Sequence, residues 1–394
     1  MDLTRFFPPA VHNALSYPPP GSWMPPLPPG VIRLSAGYPF PESVPAEDLA
    51  RAVRDLVAAE GDLPFHYLGS PSMQRLAALL AARLTARGLR VAPEGLLVTA
   101  GAAQALDLAA RALLGPEDLV AVEAPTYMEA LEIFRNYTAH IVGYPVDEEG
   151  LQVDLLEEDL QRRRRKGKPL PRLLYTVASF QNPTGAVLSL SRRRRLLELA
   201  ETYDFLILED DAYGELSFGP PPVPLKALDT RGRVIHVGSL SKVVAPGLRI
   251  GWAVAEPALL SAMAVFKKDL DHPFAWAVAA QYLSGVDMEA RVAALRKAYR
   301  ERRDVMLASL KREMPAGVSW TEPRGGFFVW LRAPGVDTAA LLPRALEAGV
   351  AYVPGKYFFF EEGPGQDCLR LSFSYLPSEA LQEGVALLAK VLRQ

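Results

Sequence analysis

The sequence predicts an α/β fold with a large domain, built on a mainly parallel central sheet between helices, and a smaller α+β domain. From residue 95 to about residue 240, short apolar runs alternate with amphipathic segments, a pattern typical of a parallel sheet covered on both faces. The 394 residues are too many for one simple core. Long helical segments then lead into a C-terminal part that mixes strands and helices.

The elements of the large domain are predicted in chain order from the spacing of apolar residues. Helices are predicted at 45–60, 72–87, 104–114, 127–137 and 192–203, with a further one opening near Asp154, which has Glu157 at capping-box spacing. Strands are predicted at 96–99, 119–123, 140–144, 172–177, 205–208 and 234–237. Long helices should fill 256–313, and the small domain should have strands near 327–330 and 368–373.

We predict three parts of the chain: a proline-rich arm at 1–44, a large domain at 45–285 and a small domain at 286–394. Proline fixes φ and removes a donor, so the arm is predicted to contain no regular helix or central strand. Phe6, Phe7, Tyr17 and Trp23 make it too apolar for a purely solvating linker. We therefore expect the arm to pack on another surface.

Composition excludes several classes of function. The 43 basic and 45 acidic residues give a net charge of −2, which argues against a nucleic-acid or membrane partner. The arginine runs 162–165 and 192–195 are interpreted as solvated faces of helices. The single cysteine, Cys368, cannot form an internal disulfide, and the first residues lack a signal-peptide pattern, so a cytoplasmic location is expected.

Lys242 is the residue around which the predicted chemistry is arranged. It follows the apolar run 234–237, which has the length and β-branched content of a buried strand. Desolvation at such a position lowers the pKa of an amine and frees it to attack a carbonyl. Two hydroxyls before it, Ser239 and Ser241, and Arg249 after it could hold a phosphate. A nucleophilic lysine beside a phosphate cup is what pyridoxal phosphate (PLP) requires.

A second phosphate-binding signal follows the strand predicted at 96–99. Gly101, Ala102 and Ala103 form a small-residue turn that opens a helix. The free N–H groups and the dipole of a helix N-terminus favour an anion. Because the carboxyl ends of parallel strands meet at one edge of a sheet, this turn should lie close to Lys242.

Several motifs carry a resemblance to a known family. The spacing S-x-S-K-x-x-x-P-G-x-R-x-G at 239–251 resembles the lysine segment of the class I aminotransferases, which are fold-type I PLP enzymes. N-P-T-G at 182–185, D-x-A-Y at 210–213, P-x-G-G-x-F-x-W at 323–330 and R-L-x-F at 370–373 resemble further motifs of that family. The resemblance covers most of the chain from residue 31 and is closest to the bacterial group that contains 2-aminoadipate aminotransferases and the aminotransferase-like halves of certain transcription regulators.

The resemblance implies a role for each motif residue. Lys242 would bind PLP covalently and then act as general acid and base, while Asp210 would pair with the pyridine nitrogen. Asp211 is the alternative if the register is shifted by one residue. The remaining implied cofactor contacts are Tyr213, Asn182, Tyr127, Gly101, Ala102, Ala103, Ser239, Ser241, Arg249 and, from the neighbouring subunit of a homodimer, Tyr67. The implied substrate contacts are Gly37, Asn182 and Arg370.

The implied function is a PLP-dependent aminotransferase that moves an amino group between an amino acid and a 2-oxo acid, with glutamate and 2-oxoglutarate as one pair. A PLP-dependent lyase could use the same residues. The non-enzymatic alternative, an effector module of a transcription regulator, would need a basic winged-helix segment upstream, for which the proline-rich start leaves no room. One departure from the family pattern is Ser72, which stands where the motif after Tyr67 usually has glycine.

Overall fold

The computed structural model describes residues 3–16, 26–268 and 271–393. The strands are β1 (Ile32–Arg33), β2 (Leu96–Thr99), β3 (Leu119–Ala124), β4 (Ile141–Asp147), β5 (Gly150–Leu151), β6 (Pro171–Thr176), β7 (Leu206–Asp210), β8 (Val234–Ser239), β9 (Gly251–Val254), β10 (Ser319–Trp320), β11 (Phe328–Arg332), β12 (Val350–Ala351), β13 (Val353–Pro354) and β14 (Cys368–Ser372). The α-helices are α1 (Pro9–Leu15), α2 (Ala46–Glu60), α3 (Pro71–Ala86), α4 (Ala102–Leu113), α5 (Met128–Arg135), α6 (Val153–Arg165), α7 (Leu190–Tyr203), α8 (Leu225–Leu228), α9 (Pro257–Phe266), α10 (Pro273–Gly285), α11 (Met288–Glu313), α12 (Thr338–Glu347) and α13 (Ser378–Leu392).

The large sheet has, within the described residues, eight strands in the order β2-β9-β8-β7-β6-β3-β4-β5. The pairs from β8 to β4 are parallel, whereas β9 runs antiparallel to both β2 and β8. β2 therefore points in the same direction as β8. As a result, the carboxyl ends of β2, β3, β6, β7 and β8 share one edge, which is where an open α/β sheet binds its ligands.

The interior strands form because they are rich in apolar residues, although β7 ends in Glu209 and Asp210 and β8 contains His236. Every residue of β8 is buried, and β6 and β7 are buried along most of their length, since helices cover both faces of the sheet. On one face, Leu156 and Leu160 of α6 pack with Leu196 and Leu199 of α7 in a separate apolar cluster. The mainly parallel sheet between helices confirms the predicted fold class.

The second sheet, with the order β10-β11-β14-β13, is antiparallel. Helices α11 and α13 pack against each other beside it. β1 pairs with β12, and the Ser372 N–H donates to the Leu34 carbonyl at 2.7 Å, so the C-terminal part of the arm is joined to this part of the molecule. We keep the domain boundaries at 44/45 and 285/286 as a proposal, since both fall between elements, just before α2 and between α10 and α11.

The prediction that the arm contains no regular helix is wrong. Helix α1 occupies Pro9–Leu15. Proline is tolerated in the first turn of a helix, where its missing N–H has no partner in any case, and the residues after it are free of proline. Tyr17 and Trp23 lie outside the described residues.

Two further predictions need correction. Helix α6 begins at Val153 with Gln152 as its N-cap and no side-chain cap, so Asp154 lies in the first turn and forms no capping box. Arg193, interpreted as part of a solvated face, is buried and donates to the carbonyls of Leu188 and Ala178. Its hydrogen bonds offset the cost of burying the guanidinium. Each helix of the described residues is too short or too polar to cross a lipid bilayer.

Candidate active site

A cavity of about 460 Å³ opens at the carboxyl edge of the large sheet. The predicted residues that line it are Gly37, Ala102, Ala103, Tyr127, Asn182, Asp210, Tyr213, Ser239, Ser241, Lys242, Arg249 and Arg370. They come from five strand ends of the large sheet, from the segment after β1 and from β14 of the small sheet. The cavity therefore lies between the two sheets, as expected for a site that both parts of the chain build.

Lys242 reaches into this cavity from the loop after β8. Its Nζ donates to the carbonyl of Gly37 at 3.0 Å and lies 5.9 Å from the ring centroid of Tyr213 and 5.7 Å from that of Phe327. Burial among these groups lowers the pKa of Lys242 to about 8. About a tenth of the amine is therefore uncharged at pH 7, far more than for an exposed lysine, and this fraction is able to act as a nucleophile.

Asp210, the last residue of β7, is a buried carboxylate with one oxygen engaged. Oδ2 accepts a hydrogen bond from the hydroxyl of Tyr175 at 2.9 Å, whereas Oδ1 is buried and has no partner in the part of the chain that the structure describes. Burial raises the pKa of Asp210 to about 6. A buried acceptor with no partner is costly, so Oδ1 is poised for a cationic or N–H donor in the cavity.

Asp211 does not line the cavity and binds Arg87 instead. Its Oδ2 accepts from Arg87 Nη2 at 2.6 Å, and its side chain is buried. Arg87 also approaches Glu215 at 4.0 Å. Asp211 Oδ1 is also buried without a partner among the described residues, but Asp210 lines the cavity and Asp211 does not, so Asp210 stays the proposed carboxylate of the site.

Asn182 and Arg370, which both line the cavity, contact each other. Arg370 Nη1 donates to Asn182 Oδ1 at 2.9 Å, and Nη2 donates to the Ser35 carbonyl at 3.0 Å. The guanidinium lies 4.1 Å from the ring centroid of Phe328, and its Nε is buried without a partner. Burial lowers the pKa of Arg370 to about 10. No carboxylate of the described residues forms an ion pair with this arginine, so its charge is available to an anionic ligand.

The phosphate-binding residues predicted from the sequence lie together. Ser239 Oγ is 2.8 Å from Ser241 Oγ and accepts from the Ser241 N–H at 3.0 Å. Gly101, with φ of 94°, caps α4, and a Cβ at this position would lie 2.4 Å from Arg249 Nη2. Only glycine therefore lets the Arg249 guanidinium lie against the N-terminus of α4. Hydroxyls, helix N–H groups and a guanidinium together suit a phosphate.

Tyr127 lies at the start of α5, and its hydroxyl donates to the carboxylate of Glu129. Burial raises the pKa of Tyr127, as does the negative charge of Glu129. Tyr213 is buried, and its ring packs edge-on against Phe327 and Phe328, with centroid separations of 5.4 Å and 5.7 Å. Both tyrosines thus present fixed rings to the cavity.

Gly101 and Tyr67 are the two predicted site residues that do not line the cavity, although Gly101 lies against Arg249, which does. Tyr67 is 83% exposed, and the neighbouring Leu68 is 92% exposed. Conversely, sequence reasoning missed Tyr175 and Glu129. Tyr175 lies inside a continuous apolar strand, and Glu129 lies in an ordinary helix start, so neither position carries a local signal. Among the described residues no cluster of metal-ligating side chains is present.

Residues 29–388 match the family model described as Aminotransferase class I and II. The chain is a class I and II aminotransferase. It is 40% identical to Aromatic-amino-acid aminotransferase 1 of Thermococcus litoralis over 92% of this chain and 88% of that relative. It is 38% identical to the 2-aminoadipate transaminase of Thermus thermophilus over 93% of this chain and 91% of that relative.

A solved structure shows the same fold as this aminotransferase. LysN, the alpha-aminoadipate aminotransferase of Thermus thermophilus complexed with N-(5'-phosphopyridoxyl)-L-leucine, superposes with a TM-score of 0.89. It is 35% identical, and the match covers 100% of this chain and 98% of that chain. The fold is therefore that of the fold-type I enzymes, and the chain is a PLP-dependent aminotransferase.

The residues of the cavity fit pyridoxal phosphate, the cofactor of this family. The buried Oδ1 of Asp210 has no partner among the described residues and suits a protonated pyridine nitrogen. Ser239, Ser241 and Arg249 suit the phosphate, and the amine of Lys242 suits the carbonyl. The donor set thus matches the cofactor at three separate points.

Proposed function

We propose that Lys242 is the residue that binds PLP covalently and that afterwards moves the proton at Cα of the amino acid. The observation that carries this proposal is that the Lys242 amine, with a pKa of about 8, and the unpartnered Oδ1 of Asp210 belong to one cavity. An amine that is partly uncharged at neutral pH serves both as nucleophile and as general base. When bound, PLP supplies a carbonyl for this amine and a ring that accepts electrons from Cα.

Asp210 is proposed to hold a proton on the pyridine nitrogen. A carboxylate at this position keeps its charge more readily beside a cation, since an opposite charge favours the ionised form. Asn182 and Tyr213 are proposed donors to the ring hydroxyl oxygen, and Tyr127 is proposed to lie on the ring face. Their support is that all three line the same cavity as Lys242 and Asp210.

The phosphate is proposed to bind at the N-terminus of α4. The backbone N–H groups of Ala102 and Ala103, after the turn at Gly101, would donate to it, and Ser239, Ser241 and Arg249 would complete the cup. Helix N-termini favour phosphate through free N–H groups and the helix dipole. This placement would leave the Lys242 amine free to react.

Arg370 is proposed to bind the α-carboxylate shared by amino acids and 2-oxo acids, next to Gly37 and Asn182. A guanidinium presents two parallel donors to a carboxylate, which a lysine cannot do. Glutamate and 2-oxoglutarate are proposed as one substrate pair. The support for a second carboxylate is that Arg33, an exposed arginine, also lines the cavity, and that a relative is named for 2-aminoadipate, which like glutamate has a distal carboxylate.

The proposed reaction is tested by mixing the PLP-loaded protein with single amino acids and no 2-oxo acid. An aminotransferase converts its PLP to pyridoxamine phosphate in one turnover and releases one equivalent of 2-oxo acid, and glutamate is expected to do this. A lyase would instead regenerate PLP and release product continuously. Continuous turnover with glutamate alone would therefore contradict transamination.

A homodimer with shared active sites is proposed as the assembly. Its support is the exposure of Tyr67 and Leu68 beside Phe65, which is 60% exposed and stacks on Phe274. Apolar side chains exposed together mark interaction surfaces more often than isolated ones do.

The cytoplasm stays the proposed compartment, since the single cysteine, Cys368, is a buried free thiol.

A further inference from the structure

Tyr175 donates one hydrogen bond to Asp210 from outside the cavity lining. It belongs to β6, whose register with β7 pairs it with Leu208, two residues before Asp210. Its hydroxyl donates to Asp210 Oδ2 at 2.9 Å. Tyr175 is fully buried and does not line the cavity, so it would not touch cofactor or substrate.

The Tyr175 ring is held firmly. It packs edge-on against Phe134 of α5 with a centroid separation of 5.5 Å, and neighbouring strands fix its backbone on both sides. A phenolic O–H prefers the plane of its ring, so a fixed ring limits the directions in which the hydroxyl can donate. It therefore constrains the rotation of the Asp210 carboxylate, because turning this group would break the hydrogen bond inside an apolar environment.

The hydrogen bond from Tyr175 makes the two oxygens of Asp210 different from each other. Oδ2 is occupied by Tyr175, and Oδ1 is buried without a partner. The charged neighbours are committed to other groups: Asp211 binds Arg87, and His236 Nδ1 lies 3.0 Å from Glu209. Tyr175 is thus the side chain whose hydrogen bond fixes Asp210 among the described residues.

We propose that Tyr175 is a positioning residue that turns Asp210 so that Oδ1 faces the pyridine nitrogen and that keeps this carboxylate ionised. The proposal rests on the proposed role of Asp210. An ionised carboxylate is a good partner for a pyridinium, whereas a protonated one leaves the nitrogen neutral and the ring a weaker electron acceptor.

The charge balance at Asp210 supports this role. Burial raises the pKa of Asp210, the Tyr175 hydrogen bond opposes burial, and the charge of Asp211 raises the pKa further. The remaining opposing contributions come from the Ala212 backbone N–H and from His236. Without the Tyr175 hydroxyl, Asp210 becomes more basic, and the shared proton moves from the pyridine nitrogen toward the carboxylate.

The test compares Tyr175→Phe with Tyr144→Phe, in protein loaded with PLP labelled with ¹⁵N in its ring. Tyr144 is the control, because its hydroxyl donates to Asp159 at 2.7 Å in another buried pair, which joins β4 to α6 outside the cavity and in which Asp159 also binds Arg163. At one fixed pH, Tyr175→Phe should shift the ¹⁵N signal toward the value of neutral pyridine. It should also lower kcat roughly ten- to one-hundred-fold, the effect of losing a hydrogen bond to a charged group, with little change in KM.

Tyr144→Phe should lower the free energy of unfolding by about as much as Tyr175→Phe does, and it should leave the ¹⁵N signal unchanged. Equal ¹⁵N signals in wild type and Tyr175→Phe would overturn the proposal. Asp210→Asn separates this failure from failure of the proposed function: if Asp210→Asn also leaves the signal unchanged, Asp210 is not the partner of the ring nitrogen. If only Tyr175→Phe has no effect, the positioning role alone is wrong.

Fluorinated tyrosines placed at position 175 keep the ring and the donor, which covers the case that Tyr175→Phe does not fold. Burial raises the pKa of Tyr175, so 3-fluorotyrosine and 3,5-difluorotyrosine should stay protonated there near neutral pH. Their more acidic hydroxyls should make Asp210 less basic and move the ¹⁵N signal further toward the protonated value. A signal that does not change across this series would overturn the proposal independently of the phenylalanine variant.

Discussion

At the scale of single residues, burial decides the chemistry of this site. It lowers the pKa of Lys242 to about 8 and raises that of Asp210 to about 6, so both groups change charge closer to neutral pH than they would in water. Similar burial at Arg370 lowers its pKa to about 10, which still leaves it charged at neutral pH. The same desolvation therefore suits the three proposed roles, with Lys242 as nucleophile and base, Asp210 as partner of the ring nitrogen and Arg370 as anion-binding cation.

Replacing Lys242 by alanine should separate PLP binding from chemistry. We expect Lys242→Ala to bind PLP through the phosphate-binding residues but to lose the borohydride-reducible bond and at least roughly 10⁴-fold in turnover, since it removes both nucleophile and base. Lys226→Ala is the control, because Lys226 is half-buried and paired with Asp229 at 3.0 Å away from the cavity. A reducible PLP bond that persists in Lys242→Ala would refute the assignment.

The rate at which the apoprotein captures PLP covalently should depend on pH through Lys242. Because the pKa of this amine is about 8, only its uncharged fraction attacks. The rate should rise about tenfold per pH unit below pH 7 and level off above about pH 8. Stopped-flow absorbance on the apoprotein measures this. A rate that kept rising to pH 10 would mean that the amine has the pKa of an exposed lysine.

Asp210 and Asp211 should respond to substitution in opposite ways. Asp210→Asn should lose on the order of 100- to 1000-fold in kcat, because it removes the charge opposite the developing electron density. Asp211→Asn should keep most of the activity but lower the free energy of unfolding by roughly 3 kcal/mol, because it leaves Arg87 poorly paired in a buried position. Activity assays and denaturant titrations distinguish the two, and the reverse ranking would show a register error of one residue.

Arg370→Lys should weaken the binding of both amino acids and 2-oxo acids. The ammonium keeps the charge but loses the two parallel hydrogen bonds, so KM for both substrates should rise roughly ten- to one-hundred-fold. Arg332→Lys on the adjacent strand is the control, since Arg332 is exposed and pairs with Asp367. Unchanged KM values in Arg370→Lys would remove this residue from the substrate site.

At the scale of elements, the parts that could be predicted from sequence are those specified locally. The interior strands are runs of apolar residues, and the residues at their carboxyl ends meet because parallel strands share an edge, so Asn182, Asp210 and Lys242 converge as predicted. Contacts between side chains far apart in sequence leave no local pattern. The bond between Tyr175 and Asp210 spans 35 residues, and that between Arg370 and Asn182 spans 188.

The errors also have physical causes. A high proline content argued against helix in the arm, but proline at the first position allows α1 to form over the proline-free residues after it. Arg193 resembled a surface residue because three arginines surround it, yet α7 turns it inward to carbonyls of the strand-to-helix loop. Helix ends and inward-facing polar residues depend on tertiary contacts, which local periodicity does not report.

The arm should tune which amino acids are accepted. Helix α1 contacts α5, which begins next to Tyr127, and Phe6 is 66% exposed on the arm. Deleting residues 1–24 should therefore change the ranking of amino donors, measured with a panel of aromatic, aliphatic and acidic amino acids. PLP binding should be unaffected, because the phosphate-binding residues lie elsewhere.

Arg33, an exposed residue that lines the cavity, allows a separate test of whether positive charge there selects acidic amino donors. Arg33→Gln should raise KM for acidic donors and leave aromatic donors unchanged, whereas Arg54→Gln, an exposed arginine of α2 outside the cavity, should change neither. If deleting residues 1–24 leaves the ranking of amino donors unaltered, the arm serves packing only.

At the scale of the whole molecule, the site depends on how the two sheets meet. Lys242 belongs to the large sheet and Arg370 to the small one, and the segment after β1 touches both, since the Gly37 carbonyl accepts from Lys242 and the Ser35 carbonyl accepts from Arg370. A change in the angle between the sheets would therefore alter both contacts together. The segment after β1 therefore links the proposed substrate-binding arginine to the proposed reacting amine through two hydrogen bonds.

A second copy of the chain should complete the proposed phosphate site through Tyr67. Tyr67 and Leu68 are 83% and 92% exposed, and the single chain gives Tyr67 no role in the cavity. In a homodimer with shared sites, the Tyr67 hydroxyl would donate to the phosphate bound by the neighbouring subunit. Tyr67→Phe should then raise the Kd for PLP roughly ten-fold, the effect of one hydrogen bond to a charged group, without changing the mass of the dimer in analytical ultracentrifugation. Tyr38→Phe, another exposed tyrosine but one that lines the cavity of its own chain, tests whether any hydroxyl near the site has this effect. A fully active monomer at assay concentration would rule out the shared site, because each cavity would then be complete within one chain.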